Sequence, residues 1–157
     1  SLKSSTMRDR EFVNRFCAFQ LLDIEEYRGD MDEFLAQALE RMNGMSTNEL
    51  SCLSAELRTA LANNLKLFGK HAFRKHQPGQ ADRSIVNAAL WDVMSTGLSR
   101  REEKMLDGVA EDLKLAFYAL LSDPDFNHSI TYSPNSTAQV KHRFHAARKM
   151  FSEVFHA

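Results

Sequence analysis

An all-α fold is predicted, an orthogonal or irregular bundle of about six helices with no sheet. Three observations predict it. Apolar residues recur at steps of three and four along most of the chain, the spacing of one helix face. No stretch sustains the period-two alternation of a half-buried strand. The local punctuation is helical too: two Ser-x-x-Glu capping boxes, with only three Pro and six Gly in 157 residues.

The first helix runs from about Met7 to Ile24, capped by Ser5 or Thr6. Phe12, Val13, Phe16, Cys17, Phe19 and Leu22 spread too widely for one stripe, so deep burial is expected. Gly29-Asp30 breaks this helix. A second, about Met31 to Met42, sets Phe34, Leu35, Ala38 and Leu39 on one side and stops at Gly44. The box Ser46-Thr47-Asn48-Glu49 opens a third, with Leu50, Leu53, Leu57, Leu61, Leu65 and Phe68 inward. A fourth covers about Arg83 to Ser95. A second box, Ser99-Arg100-Arg101-Glu102, opens a fifth, with Leu106, Leu113 and Phe117 inward, and Asp123-Pro124-Asp125 ends it. Residues 125–136 form the longest non-helical stretch. A sixth helix spans about Ser136 to Phe155, with Val140, Phe144, Ala147 and Phe151 in one arc.

A chain of this length buries roughly 70% of its unfolded surface, enough for one core. A single helical domain is expected over 7–157, a fragment of a larger protein, with 1–6 a vector-derived or disordered start. Twenty basic against 21 acidic residues exclude a histone-like tail or a polyanionic chain. Cys17 and Cys52 cannot make a disulfide scaffold or a four-ligand zinc site, and each reads as a buried, inert thiol. No apolar run approaches the roughly 20 residues of a membrane span. No secretory signal is visible, so a cytoplasmic setting without a membrane partner is expected.

Charge is uneven along the chain. Residues 23–56 carry nine acids and two bases. Residues 57–81 carry Arg58, Lys66, Lys70, Arg74 and Lys75 with no acid, and 126–152 carry Lys141, Arg143, Arg148 and Lys149 with no acid. On the last helix, Lys141, His142, His145, Arg148 and Lys149 fall within about 120° of arc. Such a face attracts phosphates whatever the base sequence. It is also what the solvated side of an amphipathic helix looks like, or a dock for an acidic protein. Phe73, among the cations of 70–75, either stacks on a base or turns into the core.

Catalytic and metal signatures are sparse. His142 and His145 stand three apart, a two-ligand pair without HExxH or cysteine support, so no metal or cofactor is expected. Neither GxSxG nor a phosphate loop is present, and no catalytic residue is assigned. Asn87 and Asp92 lie among apolar residues, and Asn87 reads as a buried hydrogen-bonding post. Arg8, Asp9, Arg10, Glu11 and Arg15 alternate in sign. Glu11 and Arg15 form an i,i+4 pair, and Arg15, between Val13 and Phe16, is expected to be partly buried and ion-paired.

The run Met7-Arg8-Asp9-Arg10-Glu11-Phe12-Val13-Asn14-Arg15-Phe16-Cys17-Ala18-Phe19 resembles a motif of a large bacterial family. That family is typified by the N-terminal half of the GmrSD restriction proteins. The likeness continues through Tyr27, Met31–Leu35, Phe68–Arg74, Asn87–Val93 and the tail from Phe126 to Phe144. Ala36 and Val86 depart from its pattern. The resemblance implies a parent with an N-terminal ParB- or sulfiredoxin-like α/β domain bearing a DGQQR-type motif, linked to nucleotide hydrolysis and nuclease function. That motif is absent here, and so is the His-Asn-His nuclease pattern of many members. The chain looks like the helical part that follows the α/β domain.

The expectation is therefore a non-catalytic domain that supports an α/β domain of the same DNA-acting protein, in restriction or defence. Arg74, Lys75, Lys141, Arg148 and Lys149 are its candidate phosphate contacts. Arg8, Asp9, Glu11, Arg15, Phe73 and Asn87 are motif or junction residues. The competing expectation is a protein-interaction or oligomerisation module, such as a homodimer, with no nucleic-acid contact.

Overall fold

A short, mostly buried helix sits at the centre, and three of the longer helices pack against it. The computed structural model describes the backbone of residues 2–156 and the side chains of residues 8–156. Its α-helices are α1 (Leu2–Leu21), α2 (Met31–Asn43), α3 (Thr47–Phe68), α4 (Ala88–Gly97), α5 (Glu103–Asp107), α6 (Ala110–Ser122), α7 (Pro124–Thr131) and α8 (Thr137–His156). Among the described residues there is no strand, only an isolated antiparallel bridge between Arg74 and Val86. The all-α class is as predicted, with eight helices rather than about six. No helix is long and apolar enough to cross a membrane.

Local signals set several boundaries as read. Asp30 caps α2 by accepting from the Glu33 amide, and Gly44 ends it. The Ser46–Glu49 box is formed in both directions at 3.1 Å. Its hydrogen bonds from Ser46 hold the Glu49 carboxyl below the usual range. Other boundaries moved. α1 starts at Leu2 and stops at Leu21, so the expected Ser5 or Thr6 cap falls inside the helix; Asp23 then caps a separate 3-10 turn, Ile24–Glu26. α4 starts at Ala88 rather than near Arg83. The Asn87 side chain accepts from the Leu90 amide at 2.9 Å, and 83–86 lie in an ordered loop.

The expected fifth helix splits at Gly108 into α5 and α6. The Ser99 box does not form. Ser99 is buried, donates to the Thr96 carbonyl and accepts from Gln20, so its hydroxyl is engaged elsewhere. Most of 125–136 is helical, because Asp123 caps α7 with Pro124 in its first turn. The long non-helical stretch is 72–87 instead, closed where the Asn87 amide donates to the Phe73 carbonyl.

The core joins α1, α2, α3, α4, α6, α7 and α8. Phe19 stacks on Phe144 with centroids 4.7 Å apart, and packs on Phe34 at 5.0 Å. Such pairs add about 0.5–1.5 kcal/mol each beyond their burial. Residues 15–19 of α1 are all buried, as expected of this helix. α3 is rotated from its predicted face. Leu50 and Leu65 are exposed while Asn63 and Asn64 are buried. Their amides donate to the carbonyls of Leu98, Arg101 and Met94, satisfying the C-terminal end of α4. Cys17 is buried as expected, but Cys52 is exposed.

α4 and α8 approach closely at Gly97. A methyl there would lie 2.1 Å from a ring carbon of Phe151, which is itself buried. Gly97→Ala gains about 1 kcal/mol of helix propensity, but overpacking of this kind costs about 1–3 kcal/mol. Net destabilisation is therefore expected in urea unfolding. Gly44→Ala meets only an ordinary 3.6 Å contact and should stay within about 0.5 kcal/mol of the parent. Equal stability of the two variants would contradict this packing.

Candidate nucleic-acid interface

The motif residues converge on α4, where they build structure. Arg15 grips Asp92 with both ends of its guanidinium, Nε to Oδ1 at 3.0 Å and Nη2 to Oδ2 at 2.6 Å. Arg143 reaches the same Oδ2 at 3.2 Å and donates to the carbonyls of Ser129 and Pro134. All three side chains are at most 3% exposed. Burial opposes the charge of Arg15, but Asp92 and then Glu11 outweigh it and leave its pKa raised. For Arg143, burial dominates, and the nearby Arg15 adds to the lowering. Both remain guanidinium. Glu11 lies 4.0 Å from Arg15, so the i,i+4 pair and the buried, paired Arg15 are as expected.

The other motif residues support the same helix. Phe73 is buried against Trp91 at 4.6 Å, which settles its orientation toward the core. Its φ of 62° is rare for a bulky side chain. Asn87 caps α4 and also donates to the Ile130 carbonyl, the hydrogen-bonding post anticipated for it, though half-buried rather than buried. Trp91 donates to the Phe12 carbonyl at 2.7 Å. Asp9 is exposed. Arg8 lies over the Phe12 ring and donates to the Val86 carbonyl at 3.3 Å.

Arg8 thereby joins the first basic segment. Arg74 donates to the Ser84 carbonyl, Lys70 to the Ala81 carbonyl and Lys75 to the Thr131 hydroxyl. The pKa of Arg74 is lowered by burial first, then by its neighbours Arg83 and Arg8. Three guanidiniums from α1 and both ends of the 72–87 loop therefore share one place. Among the described residues, none of Arg8, Lys70, Arg74, Lys75 and Arg83 has a carboxylate within 4.0 Å. The contributions of Arg8 and Arg83 were not legible, since only loop closure brings them to Arg74.

The second basic segment engages other elements. Lys141 pairs with Glu25 at 3.1 Å. Arg148 lies over Phe144, and Lys149 is exposed. His142 and His145 are exposed as well. Among the described residues, no group of three or more His, Cys, Asp or Glu could hold a metal ion. Arg143 leaves this basic face altogether for the core. Its spacing to Val140, Phe144 and Ala147, all buried, was the available signal.

Beneath the loop lies a pair of histidines from the basic stretch 70–76. The rings of His71 and His76 stack at 4.7 Å and 15°. His76 is 7% exposed. Its Nδ1–H faces the Arg74 carbonyl at 2.8 Å, which leaves Nε2 to accept from the Tyr118 hydroxyl at 2.9 Å. His71 Nε2 faces the Gln80 carbonyl at 2.8 Å. Burial pushes the His76 pKa down, the Arg74 carbonyl opposes this, and His71 adds to the lowering.

The chain matches no protein-family model, no curated protein and no solved structure.

Asp92→Asn strips the only carboxylate that lies between two buried guanidiniums among the described residues. A loss of about 3–5 kcal/mol is expected in urea unfolding. The triple variant Arg15→Met, Asp92→Leu, Arg143→Met should lose far less, because it leaves no bare charge. A triple variant weaker than Asp92→Asn would contradict the ion-pair account.

His76 contributes stability that is complete above the ordinary imidazole value of about 6.5 and is lost as pH falls toward its lowered folded-state pKa. Between about pH 7.5 and pH 5, the parent should therefore lose more stability than His76→Gln. Parallel urea midpoints for the two proteins would rule out that role.

Proposed function

We propose that this chain is a non-catalytic helical domain that supports a ParB-like α/β domain in a bacterial DNA-acting protein, and that it touches the phosphate backbone through one cationic surface. The observation that carries the contact is the meeting of Arg8, Arg74 and Arg83, with Lys70 and Lys75 beside them. Their hydrogen bonds go to carbonyls and a hydroxyl, so their charge is left to attract an anion. Arg148 and Lys149 on α8 form a weaker second arm, while Lys141 is already paired with Glu25. The link to an α/β partner, to restriction and to DNA rests on the family resemblance of Arg8–Phe19, Phe68–Arg74 and Asn87–Val93.

One observation favours the interaction-module reading. Ile85, 72% exposed, and Val13, 42% exposed, belong to the same loop and helix as this surface. Apolar side chains set among cations suit a protein junction as well as a nucleic acid.

A salt series of binding to a mixed-sequence DNA duplex tests the reading. Binding should weaken steeply with salt, and Arg8→Gln with Arg83→Gln should lower the slope by about two, one per lost contact. Changing Lys141 alone should leave the slope unchanged. Absence of binding at low salt would remove DNA contact from this domain and leave the interaction module.

A further inference from the structure

The C-terminal halves of α1, α4 and α8 line an open cleft of about 340 Å³, which shares only Arg148 with the proposed DNA contact. Phe19, Val93, Phe144 and Phe151 lie at its base, each at most 5% exposed. Its rim carries Arg100, Arg101 and Arg148, with Ser152 and His156 beside them. The volume lies in the range of small-molecule sites, about 300–1,000 Å³. The cleft is also remote from the cationic surface. Gln20, in the cleft wall, is twelve residues beyond Arg8 on α1, about 18 Å along the helix.

The three guanidiniums are held in two ways. Arg101 lies over Phe155 with its Cζ 4.1 Å from the ring centroid, and Arg148 lies over Phe144 at 5.3 Å. A guanidinium stacked on a ring keeps its N–H edge free for a planar or tetrahedral anion. Among the described residues, neither has a carboxylate within 4.0 Å. Arg100 is paired with Glu56, whose carboxylate also accepts from Gln20 at 3.1 Å. Among the described residues, three cations against that one carboxylate leave the rim two positive charges in excess. The carbonyls that end α4 do not repel an anion strongly, because Asn64, Ser99 and Asn63 already donate to Met94, Thr96 and Leu98.

We propose that this cleft binds a small phosphate monoester. Its dianion sits between the forks of Arg101 and Arg148, and its organic body fills the cleft between α1, α4 and α8. A monoester carries about −1.5 to −2 at pH 7, which matches the excess charge of the rim. Its oxygens accept two N–H groups from each fork, which a lysine rim would not offer. A simple carboxylate would meet the forks but leave one positive charge uncompensated.

Calorimetry with phenyl phosphate, run beside inorganic phosphate on the full chain, tests the assignment. Saturable one-to-one binding of phenyl phosphate is expected, with inorganic phosphate clearly weaker. Arg101→Gln and Arg148→Gln should each weaken it by about tenfold or more. Arg83→Gln, on the other surface, should not change it, so failure here and failure of the DNA reading are separate results. Amide NMR shifts on the unmodified chain should move at Gly97 and Ser152 during the same titration, which holds whether or not a variant folds. The proposal is overturned by no saturation up to about 10 mM, by equal affinity for the two phosphates, or by shifts confined to 70–87.

Discussion

The carboxylate of Asp92 is the constraint on which the rest of the packing depends. It lies in the middle of α4 with no exposure and is gripped by Arg15 from α1 and Arg143 from α8. These partners are 77 and 51 residues away in sequence. Taking three charges out of water costs several kcal/mol per ion, and the attraction regained roughly offsets that. The cluster therefore adds little net stability over a well-packed apolar replacement. What it does is penalise alternatives. A packing that moved α1 or α8 away from α4 would leave a bare charge in a low-dielectric interior. Glu11, at the edge of the cluster, completes two cations against two anions.

A second demand follows from burying a ten-residue helix. The polar groups at the ends of α4 need partners, because neighbouring elements shield them from much of the water. Asn87 caps the start and ties it to the end of α7. Asn63, Asn64 and Ser99 take the carbonyls at the finish. This explains why α3 turns two asparagines inward and two leucines outward, against the plain hydrophobic pattern. The cost of an unpaired carbonyl, about 1–3 kcal/mol, is of the same order as burying one leucine.

With the core charges neutralised internally, the remaining arginines and lysines are distributed over the surface by element. One group gathers near the start of α4, where the loop 72–87 folds back over α1. Another rims the cleft near its end. A net charge of −1 for the chain conceals both. In each place the cations are held by carbonyls, hydroxyls or aromatic rings more than by acids, and a cation so held still attracts anions from solution.

How much of this was legible follows from the range of the interactions. The limits of α2, the opening of α3 and the arc of α8 rest on caps and spacing within a few residues, and the chain itself determines those. The pairing of Glu11 with Arg15 is local in the same sense. Asp123-Pro124 was read only as a stop, yet the same residues cap and open α7, since α6 ends where α7 begins. The all-α class and the burial of α1 follow from periodicity and from its wide apolar face. The partner of Arg15, the inward turn of Arg143, the rotation of α3 and the meeting of Arg8 with Arg74 and Arg83 were decided only by tertiary structure. Each depends on contacts between residues far apart in sequence, and a charge or an amide carries no local mark of the distant group that will satisfy it.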